Sequence, residues 1–143
     1  MKNFKLNEKD ILSNQDWTFP TTTYYGPGRF NEIAKFCEEF DIKNPLIVTD
    51  SGSKDLPFIK KLISLLSKNN IKSDLFYNIS PNPRDDEISK GCDQFKNGSH
   101  DSIIAIGGGS AMDGGKSICL TVNSETPLLS LIHISEPTRP LTI

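Results

Sequence analysis

Histidine is scarce in this sequence: only His100 and His133 occur in 143 residues. A metal centre built on three imidazoles is therefore excluded within this chain. The three cysteines, Cys37, Cys92 and Cys119, are scattered, with no C-x-x-C pair. That spacing excludes a disulfide framework and a zinc knuckle and points to a reducing cytoplasm. Each cysteine is read as a small buried hydrophobe. An excess of basic charge is also lacking. The formal net charge of −2 leaves no field for nucleic acid or an anionic membrane surface. No apolar run approaches the length of a membrane span. Residues 1–8 carry no apolar core of the kind a secretory signal needs, and no internal repeat is present. What remains is a cytoplasmic chain long enough for one domain with a real core.

Glycine, by contrast, is concentrated. In Ile103-Ile104-Ala105-Ile106-Gly107-Gly108-Gly109-Ser110-Ala111-Met112-Asp113-Gly114-Gly115-Lys116-Ser117, four apolar residues read as a short buried strand. Three glycines then open the backbone to conformations and close approaches that side chains forbid. Ser110 stands where a helix N-cap belongs, and Asp113 three residues on suits a capping box. Strand, glycine turn and helix N-terminus form the layout that binds phosphate, because first-turn amides lack intrahelical partners and the macrodipole adds positive charge. The G-x-G-x-x-G fingerprint fails at Met112. The P-loop pattern ending in Gly115-Lys116-Ser117 fails because its first glycine would be residue 110, a serine.

The chain divides into an N-terminal arm (1–18), an α/β domain (19–128) and a tail (129–143). Within the domain, Thr21–Tyr25 is β-prone and is stopped by Gly26-Pro27-Gly28. A helix is expected from Arg29 to Phe40, a buried strand at Leu46–Thr49, and a helix from Leu56 to Lys68 with Leu62, Ile63, Leu65 and Leu66 inward. A strand follows at Ser73–Tyr77, then the rigid Pro81-Asn82-Pro83. A helix from Asp85 to Asn97 places Ile88, Cys92 and Phe95 inward and has Gly98 as its C-cap. His100 is expected in solvent. The last strand begins at Ile103, and the last helix runs to about Val122. Strands alternating with helices predict a Rossmann-like parallel sheet with helices on both faces, its ligand lying off the carboxyl ends of the strands.

Asp50, Pro81-Asn82-Pro83 and Gly107–Ser110 then line one edge. An aspartate at a strand tip can accept both hydroxyls of an adenosine ribose and would repel an added phosphate, favouring NAD over NADP. A turn role for Asp50 is the competing reading. Asn82 either hydrogen-bonds the cofactor or makes an Asx-turn. Gly108, Gly109 and Ser110 present N–H groups, and Ser110 its hydroxyl, to a pyrophosphate. Asp113 caps the helix or points toward the nicotinamide side, and Lys116 can pair with it. Gly114 and Gly115 let the helix approach the sheet or the cofactor.

At these residues the chain resembles the iron-containing, or group III, alcohol dehydrogenases. The resembling segments are Tyr25-Gly26-Pro27-Gly28, Pro45-Leu46-Ile47-Val48-Thr49-Asp50, Pro81-Asn82-Pro83 and Gly107 through Lys116. Their order and spacing agree over roughly residues 18–124. The resemblance implies a nucleotide domain followed by an all-helical metal domain. It also implies reversible hydride transfer between a small alcohol and an aldehyde or ketone, NAD or NADP as cofactor, and a divalent iron in a homo-oligomeric full-length parent. The family's cofactor role carries to Asp50, Asn82, Gly108, Gly109 and Ser110, and its motif to Asp113 and Lys116. The family's metal ligands, one Asp and three His, and its later Thr-rich loop have no counterpart here. The chain is accordingly expected to be a fragment without catalytic residues, truncated before the metal domain. Leu129 onward resembles a translated sequencing adapter and is read as non-native. With the next strand missing, the isolated chain is expected to be marginally stable. Two alternatives stand beside this reading. One is a glycerol-dehydrogenase or dehydroquinate-synthase-like relative; the other is a non-catalytic nucleotide-binding module.

Overall fold

The structure is a computed structural model and describes residues 22–124. The expected arm (1–18) and adapter-like tail (129–143) lie outside the described residues. A 3-10 turn, Arg29–Glu32, leads into α1 (Ile33–Glu39), β1 (Pro45–Asp50), α2 (Pro57–Lys68) and β2 (Asp74–Ile79). Then come α3 (Asp85–Asn97), β3 (Ser102–Ala105) and α4 (Gly109–Val122). The three strands form one parallel sheet in the order β2-β1-β3.

The apolar run of β1 explains why it is central. Its residues 45–49 are all buried, and successive side chains serve opposite faces. Leu46 and Val48 pack with Phe76, Ile79, Ile88, Cys92 and Ile118 under α3 and α4. Ile47 packs with Cys37, Leu62 and Leu66 under α1 and α2. Each fully buried aliphatic side chain contributes roughly 1.5–3 kcal/mol. Pro57 opens α2, where its missing N–H costs nothing. Asp85, Asp86 and Glu87 fill the first turn of α3, with the sign the macrodipole favours.

Several expectations need correction. Residues 22–25 are irregular; β propensity is realised only against a neighbouring strand, and Tyr24 instead stacks on Phe36 at 4.3 Å. The helix expected from Arg29 begins as a 3-10 turn and is α-helical only from Ile33 to Glu39. In α2 the inward residues include Ile59 at 1% exposure, whereas Ile63 is 37% exposed. Gly98 does cap α3, but with an ordinary φ of −80°; Ser99 takes the left-handed conformation, φ 51°. Cys119 is exposed, unlike Cys37 and Cys92, because it lies on the outer side of α4.

His100 is buried rather than solvated, 6% exposed. The turn at Ser99 tucks it against the amino ends of the strands, where Nδ1 lies 3.0 Å from the Asn44 carbonyl and Nε2 lies 3.3 Å from Asp74 Oδ2. Asp101 ties the same end together. Its Oδ2 accepts the amides of Lys43 (2.7 Å) and Asn44 (2.9 Å), and its Oδ1 accepts the Ser102 hydroxyl (2.9 Å). Partial desolvation pushes the Asp101 carboxyl up, but these hydrogen bonds outweigh it and hold it below its ordinary value. A group whose folded pKa is lowered stabilises above its unfolded pKa, and that stability is lost as pH falls through the folded one. The thermal midpoint should therefore hold at neutral pH and fall as pH drops below about 4. Asp101→Asn should flatten that acid limb, as melting curves across pH would register.

Candidate functional site

The carboxyl ends of β1, β2 and β3 bring three separated segments to one edge, the place where parallel sheets bind ligands. Asp50 closes β1. Its Oδ1 accepts the Gly52 amide at 3.0 Å and its Oδ2 accepts the Ser53 hydroxyl at 2.8 Å. The turn role weighed for Asp50 is thus present, and each oxygen keeps acceptor capacity for a further donor.

Gly107 follows β3 with φ +137°. A Cβ there would stand 2.9 Å from Ala111 Cβ, 3.1 Å from Asp50 Oδ2 and 3.4 Å from Thr49 Oγ1. Only glycine lets the bend sit this close to β1. At Gly108 and Gly109 the opposite holds, since an added Cβ would meet nothing within 4 Å. Their backbone faces open space at the start of α4. The amides of Gly109, Ser110 and Ala111 have no intrahelical acceptor there, by helix geometry.

The expected cap is corrected. Gly108, not Ser110, is the N-cap, and no side chain caps α4. Ser110 lies inside the first turn and donates its hydroxyl to the Pro81 carbonyl at 2.9 Å. Approach of the β2–α3 loop offered that hydroxyl a nearer acceptor than its own helix. Asp113 falls beyond the first turn, too late to cap. Asp113 and Lys116 are exposed, and no ion pair joins them among the described residues. Gly114 and Gly115 face the sheet: a Cβ would meet Ile79 of β2 at 2.9 Å and Ala105 of β3 at 2.5 Å, respectively.

Asn82 is exposed at the tip of its loop. Its carbonyl accepts the Ser80 hydroxyl at 2.7 Å, while its side chain makes no hydrogen bond among the described residues and so forms no Asx-turn. Beneath the loop lies Glu87, 8% exposed. Its Oε2 accepts the Ser80 amide (3.2 Å) and the Arg84 amide (3.1 Å) and lies 3.0 Å from the Ser80 hydroxyl, whose one proton it shares with the nearer Asn82 carbonyl. Burial pushes the Glu87 carboxyl up, but these donors and the nearby Arg84 guanidinium hold it below the ordinary glutamate value.

Sequence reasoning passed over two residues here. Glu87 stands three residues after Arg84, the spacing by which a glutamate reaches back to the amide opening a helix; that spacing was its signal. Thr49 is fully buried and its Oγ1 has no hydrogen-bond partner. A hydroxyl ending an otherwise apolar strand was the only mark it left. Beside the bend, a cavity of about 440 Å³ is lined by Phe30, Ser53, Leu56, Phe58 and Ile106–Gly108.

Open glycine backbone, unpaired amides and a strand-tip carboxylate with spare acceptor capacity fit a dinucleotide, with its diphosphate on the bend and a ribose at Asp50. They do not fit iron. No group of three or more His, Cys, Asp or Glu placed to hold a metal occurs among the described residues. The one described histidine is buried at the opposite end of the sheet. No helix among the described residues is long and apolar enough to cross a membrane.

Comparison with known proteins agrees with this architecture. Residues 20–142 match the sequence model for iron-containing alcohol dehydrogenases. The chain is 30% identical over 128 residues to the 1,3-propanediol dehydrogenase of Citrobacter freundii, covering 88% of this chain and 33% of that one. It superposes on an alcohol dehydrogenase from Oenococcus oeni with a TM-score of 0.75 and 27% identity, covering 82% of this chain and 31% of the other. A sulfoacetaldehyde reductase from Bifidobacterium kashiwanohense, solved in complex with NAD+, gives a TM-score of 0.72 at 25% identity, with 82% and 31% covered. The chain thus spans about a third of the length of the relatives it matches.

Proposed function

The chain belongs to the iron-containing alcohol dehydrogenase family, and from that premise we propose that its described residues bind and orient NAD for an enzyme interconverting small alcohols and aldehydes or ketones. Bound NAD supplies the hydride acceptor, and NADH the donor. The chain's own residues supply position. The amides of Gly108, Gly109 and Ser110 hold the diphosphate, where an anion gains from the α4 dipole. Asp50 accepts the adenosine ribose hydroxyls, and Asn82 donates to the cofactor from the neighbouring loop. Asp113 and Lys116 belong to the nicotinamide end. The residues that hold iron and select the substrate lie outside the described part, and the working enzyme is a cytoplasmic homo-oligomer.

The observation that carries this reading is the joining of three chain segments at one edge. Ser110 is bonded to Pro81, and Gly107 is pressed against Asp50. Titrating the protein with NADH and NADPH by cofactor fluorescence, with ATP as competitor, and with ATP alone by calorimetry tests it. NADH binding that ATP barely displaces is expected; ATP binding without NADH would remove the proposal. Asp50 should also set the choice of cofactor. Asp50→Asn removes the charge that repels a 2′-phosphate, so the NADPH-to-NADH affinity ratio should rise about tenfold. An unchanged ratio would place the ribose elsewhere.

A further inference from the structure

We propose that Glu87 is a positioning residue for the cofactor: it touches no proposed ligand atom but fixes the loop that presents Asn82. The proposal rests on the dinucleotide reading above.

The loop between β2 and α3 has little of its own to hold it. Pro81 and Pro83 have no N–H to donate, and Asn82 is exposed. What pins the loop at both ends is one carboxylate oxygen. Glu87 Oε2 takes the amide of Ser80, which precedes the loop, and the amide of Arg84, which follows it. Ser80, held by its amide, donates its hydroxyl to the Asn82 carbonyl at 2.7 Å, so the clamp reaches the residue proposed to meet the cofactor. On the far side, Ser110 at the head of α4 donates to Pro81, which makes the loop's position part of the glycine bend's surroundings. Two amide donors converging on one oxygen, with the Arg84 guanidinium beside the other, call for an anion. A neutral amide cannot reproduce them, because its oxygen is a weaker acceptor and its NH2 would face the Arg84 guanidinium, whose Nε lies 3.8 Å from Oε1.

Glu87→Gln keeps size and shape but weakens the clamp. NADH affinity, measured well below the melting midpoint, should fall about tenfold. Trypsin should cut after Arg84 faster than in the wild type as the loop loosens. Glu87 acts through Asn82, so adding Glu87→Gln to Asn82→Ala should weaken NADH binding little further. A merely structural role would lower the melting midpoint without that non-additivity. Should Glu87→Gln fail to fold, Ser80→Ala removes the hydroxyl link to Asn82 more gently; it is expected to weaken NADH binding by a smaller factor and again to speed cleavage at Arg84. Wild-type affinity and wild-type cleavage in the folded variants would overturn the proposal, as would full additivity with Asn82→Ala. If the wild type itself does not bind NADH, the dinucleotide reading fails. The Arg84 cleavage rates still report whether Glu87 holds the loop.

Discussion

Gly107→Ala is expected to lower the melting midpoint by several degrees and to weaken NADH binding several-fold. Two costs add. The φ of +137° lies in a region that side chains rarely adopt, worth about 1–3 kcal/mol. The new methyl would also press on Ala111 Cβ at 2.9 Å and on Asp50 Oδ2 at 3.1 Å, and overpacking of this kind costs about 1–3 kcal/mol. Neither neighbour gives way easily, since Ala111 Cβ is fixed to the first turn of α4 and the Asp50 carboxylate is held by Gly52 and Ser53. Even the lower bounds sum to about 2 kcal/mol; part lowers the melting midpoint, and the part relieved by a shift of the bend weakens binding, with roughly thirtyfold the result if all of it did. Gly109→Val is the informative contrast. Its side chain meets nothing within 4 Å of the Cβ position, so melting should stay near wild type while NADH binding is lost to steric exclusion. Calorimetric melting and fluorescence titration of both variants separate fold from site. Wild-type melting in Gly107→Ala would show that the bend tolerates a side chain and that its closeness to β1 is unimportant.

Gly115→Leu is expected to destabilise the protein by about 3 kcal/mol or more. The position lies within α4, where intrinsic propensity alone would reward replacing glycine by alanine with about 1 kcal/mol. Contact decides against it. The Cβ would stand 2.5 Å from Ala105 Cβ and 3.6 Å from Ile103 Cγ2, and Ala105 is fixed in β3 by its pairing with Val48. The helix must lift off the sheet, and Ile118, fully buried one turn on, would lift with it. Gly115→Ala should therefore also destabilise, by less, despite its better helix propensity. A rise in the melting midpoint of Gly115→Ala would show that the helix–sheet gap is wider than described.

Much of the fold was legible before any coordinates. β1 announced itself by apolar residues on both faces, and α3 runs over Asp85–Asn97 as expected, since acidic residues open it and Gly98 closes it. The bend after β3 was legible because few arrangements call for three successive glycines. Failures clustered where a residue's fate depends on a remote partner. Residues 22–25 have strand-forming side chains but no neighbouring strand. Ile59 and Ile63 lie on one helix, and which of them turns inward is set by how α2 rests on the sheet.

The amino-acid sequence alone determined where strands and helices alternate, that the sheet is parallel, and that a glycine bend follows β3. Those properties depend on spacing along the chain and on the conformational freedom of glycine, both local quantities. The tertiary structure alone decided partners. Ser110 bonds to a carbonyl 29 residues away instead of capping its own helix, and His100 is buried against Asn44, 56 residues distant. It likewise placed Gly115 against the sheet and brought the Ser80 and Arg84 amides together on Glu87. A hydrogen bond or a packing gap exists only once two segments approach within a few ångströms, and no periodicity in one segment records what the other will bring.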